Sequence, residues 1–170
     1  NYWRFVNEAK YYDLFLISPR GDIVYSQAHE SDFATNLFTG PYSDTGLGKV
    51  ARHALSAREG TISDFERYEP SKGAIAAFVA TPIIINGEVK GVLALQIFSQ
   101  RVFTVIANNV GLTDSGETVV ARIEDDRTAL VMAPLKFDPD AALERKIPLN
   151  QPPMSDAIKS ALNGESGGAL

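Results

Sequence analysis

Residues 11–26, which read YYDLFLISPRGDIVYS, decide the fold because they predict a central β-hairpin. Two runs rich in aromatic and β-branched residues, 12–18 and 22–26, flank the sequence Pro19-Arg20-Gly21. Proline presets the backbone angle φ of a type I turn, and glycine supplies the positive φ that the following bulge requires. The stretch therefore predicts two antiparallel strands joined by a short turn.

The first strand of this hairpin is apolar on both faces. Leu14 and Leu16 alternate with Phe15 and Ile17, and alternate residues of a strand point to opposite sides of the sheet. Because both sides must then be covered, we expect a central strand with a layer on each side.

The composition is that of a globular protein, with 45% hydrophobic and 22% charged residues among 170. This length suits one domain or one and a half small ones. The 21 acidic residues outnumber the 16 basic ones, and the basic residues are scattered, so nucleic acid is excluded as a partner. The absence of cysteine excludes disulfides, thiolate catalysis and cysteine-bound metals.

The beginning of the chain indicates a piece of a longer protein. Asn1 is not preceded by a start methionine or signal peptide, and residues 1–10 have the pattern of the end of a helix. The longest apolar run, 73–85, contains Thr81 and Pro82 and is shorter than the roughly 20 residues of a spanning helix. We expect a membrane anchor elsewhere in the full-length protein, and a homodimer through the N-terminal helix is one arrangement to test.

A long loop and a helix follow the hairpin. Residues 27–42 contain few apolar side chains, and the loop is longer than a plain connection requires, which is typical of binding loops. Ser43 or Asp44 is expected to cap a helix whose apolar residues have the spacing of one face, and Gly60 is expected to end it.

Three further strands complete a first lobe that spans 11–98. They are predicted at 61–68, 74–85 and 88–98, the last two joined by a type I′ turn at Asn86-Gly87. The N-terminal helix is expected to cover one face of the sheet. The predicted fold class is therefore α+β: a PAS-like antiparallel five-stranded sheet flanked by helices, one of them inserted after the second strand.

The second half of the sequence repeats this plan in shorter form. Residues 99–115 are expected to connect the two lobes, with a helix at 99–110. A second, smaller PAS-like lobe is expected at 116–170. This lobe comprises strands at 118–123 and 128–133 around the charged turn 124–127, a proline-containing loop, and a helix with Met154, Ala157, Ile158, Ala161 and Leu162 on one face. We expect the lobe to be incomplete, because the chain stops where its third strand should begin.

The sequence lacks the motifs of catalysis, metal binding and cofactor binding. His29 and His53 are the only histidines and do not have the spacing of metal ligands, and the run Glu124-Asp125-Asp126 lacks the spacing of a calcium loop. There is no dinucleotide-binding fingerprint and no nucleophile elbow. We therefore expect no enzymatic activity, no metal and no cofactor.

Polar residues near the middle of the predicted sheet are candidates for ligand contact. Asp64, Arg67 and Tyr68 lie on or at the end of a strand that should be mostly apolar. Because a buried aspartate or arginine must be paired, these residues either serve a site or pair with each other at a solvated edge. Both alternatives stay open from the sequence.

The Asn86-Gly87 turn predicts which residues share a face with Gln96. With a regular register these are Ala77, Val79 and Thr81. This face is small and partly polar, so we expect a cavity over it, with Gln96 standing in the cavity. The alternative is that Gln96 hydrogen-bonds a neighbouring loop.

Two stretches resemble one known family. DLFLISPRGDIVYS and DFERYEPSKGAIAAFVATPIIINGEVKGVLALQIF are similar to the double Cache domains, also called PAS-like sensors, of bacterial histidine kinases, chemoreceptors and diguanylate cyclases. The resemblance covers 11–98 well and 116–164 by general plan, including the sequence Gly116-Glu117-Thr118. It implies a periplasmic sensor domain that binds a small molecule in its first lobe and passes a conformational change to flanking helices.

In amino-acid-binding members of this family, a tyrosine in a Pro-Tyr element and an aspartate near the end of the closing strand hold the ligand. Tyr68 matches the tyrosine although Arg67 replaces the proline, Gln96 stands in place of the aspartate, and the family's Arg-x-Trp-Tyr run is absent. A carboxylate about 4 Å from an ammonium group is worth roughly 4 kcal/mol at an intermediate dielectric, most of which an amide loses. The resemblance therefore implies a small-molecule ligand other than a free amino acid.

The candidate ligand contacts are Tyr68 and Gln96, followed by Asp64, Arg67, Tyr42 and Tyr25. Two rival functions stay open from the sequence: a structural or dimerising lobe without a ligand, and a cytosolic PAS or GAF domain that holds a cofactor. A filled core over Thr81 and Gln96 would favour the first rival, and a coloured purified protein would favour the second.

Overall fold

The computed structural model describes residues 11–107, 114, 116–151 and 154–165. The chain forms two compact units, Asn1–Ser99 and Gln100–Leu170. The helix predicted for residues 1–10, with the dimer contact predicted for it, lies outside the described residues, as do residues 108–113 of the predicted connecting segment.

An antiparallel sheet of six strands forms the first unit. In chain order the elements are β1 (Asp13–Ile17), β2 (Ile23–Ser26), α1 (Gly46–Ala57), β3 (Thr61–Ile62), β4 (Glu66–Tyr68), a 3-10 helix (Glu69–Ser71), β5 (Ala74–Ile85) and β6 (Glu88–Phe98). The hydrogen-bonded order is β2-β1-β6-β5-β3, and β4 also pairs with β5. The predicted α+β, PAS-like fold class is confirmed.

The turn of the first hairpin forms as predicted. Gly21 has a φ of +93°, and its N–H donates to the carbonyl of Ser18 at 2.9 Å. Glycine adopts this conformation without the strain that a side chain adds. A Cβ atom at this position would also lie 2.6 Å from the ring of Phe38, so close packing and backbone geometry both require glycine here.

Helix α1 covers the face of the sheet that carries Phe15 and Ile17. The buried core on this side includes Phe15, Ile17, Phe78, Ala80, Val92 and Ala94 from the sheet and Leu47, Val50, Ala51 and Ala54 from α1. Leu14, on the opposite face of β1, is also buried. Since β1 lies between β2 and β6 and is buried on both faces, the prediction of a central strand is confirmed.

The turn between β5 and β6 also forms as predicted, but a β-bulge follows it. Asn86 and Gly87 have φ angles of +53° and +77°, as a type I′ turn requires. Val89 and Gly91 pair with consecutive residues of β5, so Lys90 between them is an extra residue. Such an insertion moves every later pair by one position.

The predicted grouping of Ala77, Val79 and Thr81 with Gln96 is wrong because of this bulge. Gln96 lies directly opposite Phe78 and therefore on the side of the sheet that α1 covers. Thr81 is exposed. Gln96 and Thr81 thus lie on opposite sides of the sheet, so the predicted cavity cannot lie over both, and the residues directly opposite Gln96 are Phe78 on β5 and Asp13 on β1.

The single strand predicted at 61–68 is in fact two short strands, β3 and β4. Between them the Ser63 hydroxyl accepts the N–H of Phe78 at 3.0 Å, while the Ser63 N–H donates to the Phe78 carbonyl at 2.8 Å. The serine side chain thus replaces a backbone acceptor where the pairing breaks. Tyr68, at the end of β4, packs in the core beneath α1.

The ends of α1 differ from the predicted ones. Thr45, and not Ser43 or Asp44, is the N-cap, and its hydroxyl accepts an N–H of the first turn at 3.3 Å. The helix ends before Arg58, which has a φ of +59° and takes the left-handed conformation predicted for Gly60. Thr45 was not among the predicted caps, although threonine also belongs to the residues favoured at an N-cap.

Helix α2 (Ser99–Ile106) follows β6, and the second unit contains β7 (Ala121–Asp125), β8 (Thr128–Val131), β9 (Lys146–Pro148) and α3 (Met154–Leu162). The three strands form one sheet in the order β7-β8-β9, and the helix is predicted correctly. Strand β9 was missed: it lies in the segment predicted to be loop, where Ile147 is buried opposite Ala129. Strand β9 precedes α3, whereas the strand expected to be missing would follow this helix, so the incomplete second lobe stays a prediction.

Among the described residues, no helix has both the length and the apolar character needed to cross a membrane.

We predict that Gly91→Ala destabilises the first unit by about 1–3 kcal/mol, the usual effect of overpacking. A Cβ atom on Gly91 would lie 2.6 Å from the carbonyl oxygen of Ile17, a backbone atom of the neighbouring central strand. Gly60→Ala is the matched control, because its Cβ would make only an ordinary contact of 3.6 Å. Urea unfolding checks this, and equal free energies of unfolding for the two variants would contradict it.

Candidate functional site

A buried hydrogen bond joins β4 to the loop that follows β2. The hydroxyl of Tyr68 donates to Oδ2 of Asp32 at 2.6 Å, and both side chains are 0% exposed. The loop turns tightly at this point, since the Thr35 N–H and the Thr35 hydroxyl both donate to the Asp32 carbonyl, at 3.1 and 2.6 Å. Tyr68 therefore anchors the predicted binding loop to the sheet.

Gln96 begins a second chain of hydrogen bonds on the same side of the sheet. Its Nε2 donates to Oγ of Ser71 at 3.0 Å, and the Ser71 hydroxyl donates to Oε2 of Glu30 at 2.6 Å. The hydroxyl of Tyr12 donates to the other oxygen, Oε1, of Glu30 at 2.5 Å. This chain links β6, the 3-10 helix and the loop after β2.

Asp13 is, with Asp32, the second fully buried carboxylate of this region and is directly opposite Gln96 in the β1–β6 pairing. Its Oδ1 accepts the N–H groups of Leu14, Gln27 and Ala28 at 2.7, 2.7 and 2.9 Å. Its Oδ2 accepts the hydroxyl of Ser26 at 2.7 Å. Asp13 therefore fixes the start of the loop and has both oxygens satisfied.

Two buried oxygens of the first unit accept no hydrogen bond from any described residue. They are Oδ1 of Asp32 and Oε1 of Gln96. The Asp32 side chain is 0% exposed and the Gln96 side chain 2% exposed. Because buried acceptors are nearly always satisfied in proteins, two such oxygens on the same side of one sheet are the outstanding feature of this site.

Burial and neighbouring groups raise the pKa values of Asp32, Asp13 and Tyr12. Burial raises the pKa of Asp32 above its ordinary value of 3.8, the charges of Asp13 and Glu30 raise it further, and the hydrogen bond from Tyr68 opposes them. Burial also raises the pKa of Asp13. The hydrogen bond to Glu30 is the main cause that raises the pKa of Tyr12 to about 12. These causes oppose the addition of negative charge in this region.

Aromatic rings surround the Tyr68 side chain. The rings of Tyr68 and Phe78 meet edge-on with centroids 4.8 Å apart, and those of Tyr42 and Tyr68 lie 6.4 Å apart. Phe15 follows at 6.4 Å from Phe78. Tyr42 is half-buried, and its hydroxyl is 2.9 Å from Oγ of Ser31 in the same loop. The site thus combines apolar walls with a few polar groups, which is typical of ligand pockets.

The structure brings together three of the six candidates from the sequence, Tyr68, Gln96 and Tyr42. Asp64 and Arg67 are exposed, and Arg67 is on the opposite strand face from its neighbour Tyr68. Of the two possibilities for Asp64 and Arg67, a ligand site or a solvated edge, their exposure favours the solvated edge.

Tyr25 does not join them either. It pairs with Leu16 and so lies on the other face of the sheet from Phe15, where its hydroxyl donates to Oε1 of Gln27 at 2.7 Å. Tyr25 therefore lies away from the side of β1 that α1 covers, which carries Asp13 and Phe15, and its contact with a ligand stays a prediction.

The sequence analysis missed four polar side chains of the candidate site: Asp13, Glu30, Asp32 and Ser71. Asp13 gives the clearest sequence signal, since a charged residue opens a strand that is otherwise apolar on both faces. For Asp32, the only signal was its position in a loop longer than a connection needs.

Away from the buried carboxylates, the described residues of the first unit also line a surface cavity. A surface cavity of about 600 Å³ is lined by Pro19, Phe38, Arg52, Leu55 and Ser56, and none of the buried carboxylates lines it. The Arg52 guanidinium there donates to backbone carbonyls, that of Ser43 among them at 2.9 Å. The described residues include no group of three or more His, Cys, Asp or Glu side chains that could hold a metal ion.

No protein-family model and no curated protein matches the sequence. Solved structures do match. The ligand-binding domain of the Pseudomonas fluorescens chemoreceptor CtaA matches in its complexes with L-serine and with L-leucine, in both cases with 12% identity, a TM-score of 0.53 and 81% of this chain covered. The sensor domain of the V. cholerae histidine kinase DctB matches with 16% identity and a TM-score of 0.44 over 78% of this chain.

This chain covers 52% and 51% of the two CtaA chains and 65% of the DctB chain. It therefore spans between half and two thirds of the length of these domains. The match to CtaA shows that the chain has the fold of a chemoreceptor ligand-binding domain. The resemblance to double Cache sensor domains is thus confirmed at the level of the fold.

We predict that the stability of the chain falls as the pH rises from about 4 through the raised pKa of Asp32. The native state keeps the Asp32 proton at pH values where the unfolded chain has lost it, and this difference favours folding at the lower pH. Asp32→Asn does not titrate but can still accept the Tyr68 hydroxyl. The fall should therefore be smaller in this variant, as measured by urea unfolding at a series of pH values.

Asp22→Asn is the control with the opposite sign. Hydrogen bonds from Asn36 and Ser18 lower the pKa of Asp22, so wild type should gain stability over this variant as the pH rises. Parallel pH profiles for wild type and Asp32→Asn would refute a raised pKa at Asp32.

Proposed function

We propose that this chain, which has the fold of bacterial chemoreceptor ligand-binding domains, is the small-molecule-sensing part of a transmembrane signalling receptor. In this proposal it lies in the periplasm and belongs to a histidine kinase, a chemoreceptor or a diguanylate cyclase. The ligand binds in the first unit, between the sheet and the loop and helix that follow β2. The chain itself carries out no chemistry, and any catalytic output belongs to other parts of the receptor.

The observation that supports this proposal is the pair of buried, unsatisfied oxygens on Asp32 and Gln96. A purely structural core would be expected to satisfy such groups or replace them by apolar side chains, because an unmatched buried acceptor costs about 1–3 kcal/mol. A protein that binds a polar ligand needs such acceptors, since the ligand supplies the missing donors. Tyr68 holds one of the two residues in position, at 2.6 Å from Oδ2 of Asp32.

The response to a ligand would follow from the connections of these residues. Asp32 belongs to the loop before α1, and Gln96 belongs to β6, which leads directly into α2. A ligand that bridges the two oxygens binds most tightly to the conformation with one particular distance between the loop and β6. It therefore increases the population of that conformation. A coupling of about 1–3 kcal/mol is typical of such signalling.

The proposal predicts that at least one small metabolite raises the thermal unfolding midpoint of the purified chain. A ligand at a hundredfold excess over its Kd stabilises the native state by about 2.7 kcal/mol, which corresponds to several degrees. The screen uses single compounds from four classes: organic cations, carboxylates, sugars and nucleobases. Tyr68→Phe and Gln96→Met should each reduce the shift, because each removes a polar group of the site.

Arg67→Gln is the control, because Arg67 is exposed and lies outside the site. The shift should persist in this variant. If no compound of any class shifts the midpoint, the sensing function is wrong and a structural lobe replaces it. A shift that is equal in wild type, Tyr68→Phe and Gln96→Met would place the ligand elsewhere in the chain and remove the proposed site.

A further inference from the structure

The unsatisfied groups of the site are both acceptors. Asp32 presents a carboxylate oxygen and Gln96 an amide oxygen, while the amide nitrogen of Gln96 is already used by Ser71. A carboxylate oxygen and an amide carbonyl need hydrogen-bond donors. A ligand made only of acceptors, such as a simple carboxylate or phosphate, cannot satisfy either of them.

The distribution of charge favours a cation. Asp13 is fully satisfied by three backbone N–H groups and a hydroxyl, and Glu30 by two hydroxyls. No described lysine or arginine is among the hydrogen-bond partners of Asp13, Glu30 or Asp32. Among the oxygens of these three carboxylates, Oδ1 of Asp32 is therefore the one that has no donor from a described residue. A charged donor makes the stronger bond to such an oxygen.

The same charges disfavour a carboxylate on the ligand. An α-amino acid would bring its own carboxylate close to Asp13, Glu30 and Asp32, where like charges repel in a weakly polar environment. The guanidinium of Arg52, which is half-buried in α1, is occupied by the backbone carbonyls of Leu37, Ser43 and Gly48. The described part of the site thus offers the ammonium group a partner and the carboxylate none.

The aromatic rings are compatible with a small cation. Tyr68 lies against Phe78 and near Tyr42, and the faces of aromatic rings attract cations. The rings also exclude water, which strengthens a charge-assisted hydrogen bond.

We propose that the first unit takes a small organic cation that has N–H donors and no carboxylate, a primary or secondary ammonium or an amidinium, held between Oδ1 of Asp32 and Oε1 of Gln96. This inference rests on the proposed sensing function and specifies its ligand class. The ligand donates one N–H to each oxygen, and Tyr68 fixes the orientation of the Asp32 carboxylate.

Calorimetric titration of the purified chain with four probes tests the proposal: n-propylammonium, acetamidinium, tetramethylammonium and propionate. The first two should bind. Tetramethylammonium has the same charge but no N–H donor, and propionate has the opposite charge, so both should bind at least about tenfold more weakly. L-Alanine, which adds a carboxylate to an ammonium group, should also bind more weakly than n-propylammonium.

Three variants test whether the cation binds at Asp32 and Gln96. Asp32→Asn keeps an oxygen for the Tyr68 hydroxyl but removes the charge, and should weaken n-propylammonium binding about ten- to a hundredfold. Gln96→Met removes the second acceptor at similar size and should also weaken binding. Asp64→Asn removes an exposed carboxylate outside the site and should leave the affinity within about twofold of wild type, as expected for a solvated charge. Circular dichroism confirms that each variant is folded.

The outcomes separate this inference from the sensing function. If propionate or a neutral metabolite binds in a way that requires Tyr68 and Gln96 while the ammonium and amidinium probes do not bind, the cation assignment is wrong and the sensing function stands. Equal binding of tetramethylammonium and n-propylammonium would overturn the role of the two oxygens. If the cationic probes bind equally well to Asp32→Asn, or if Asp32→Asn does not fold and Gln96→Met binds like wild type, the proposed site is wrong.

Discussion

The hydrogen bond from Tyr68 to Asp32 is the constraint on which the site depends. It joins residues 36 positions apart, at 2.6 Å and out of contact with solvent. The loop after β2 is also held near its beginning by Asp13 and Glu30, and residues 35–37 are hydrogen-bonded to the first hairpin. With the bond from Tyr68 to Asp32, the loop lies over the end of β4, and one oxygen of a buried carboxylate is left for another donor.

Asp13 and Asp32 show how the same side chain serves two purposes in one site. Four donors satisfy the Asp13 carboxylate. Its burial therefore stabilises the local backbone, and neither of its oxygens is left for another donor. Asp32 has one donor on one oxygen and none from a described residue on the other. A buried carboxylate that is only half satisfied costs stability in isolation, which is the condition expected of a group whose full complement includes a ligand.

Local sequence rules predicted the elements of the fold but not the alignment between them. The Asn86-Gly87 turn is where it was expected, because both residues readily take positive φ. The extra residue at Lys90 carries no such signature, and it alone moves Gln96 from the predicted neighbours to Phe78. Tyr68 and Gln96 were predicted first as polar residues on apolar strands and again from the family resemblance. Asp32 was not, because its burial depends on a tertiary contact 36 residues away.

The segment from β4 through the 3-10 helix connects the site to three other parts of the first unit. Glu66 accepts the N–H of Gly46 at the start of α1 at 2.6 Å, Tyr68 binds the loop through Asp32, and Ser71 binds Gln96 on β6. These contacts span only six residues of chain. In the proposed sensing function, a displacement of Asp32 toward a bound donor acts through Tyr68 on this short segment, which also contacts α1 and β6. Because β6 leads directly into α2, this segment gives a physical route from the buried oxygens to the connecting helix.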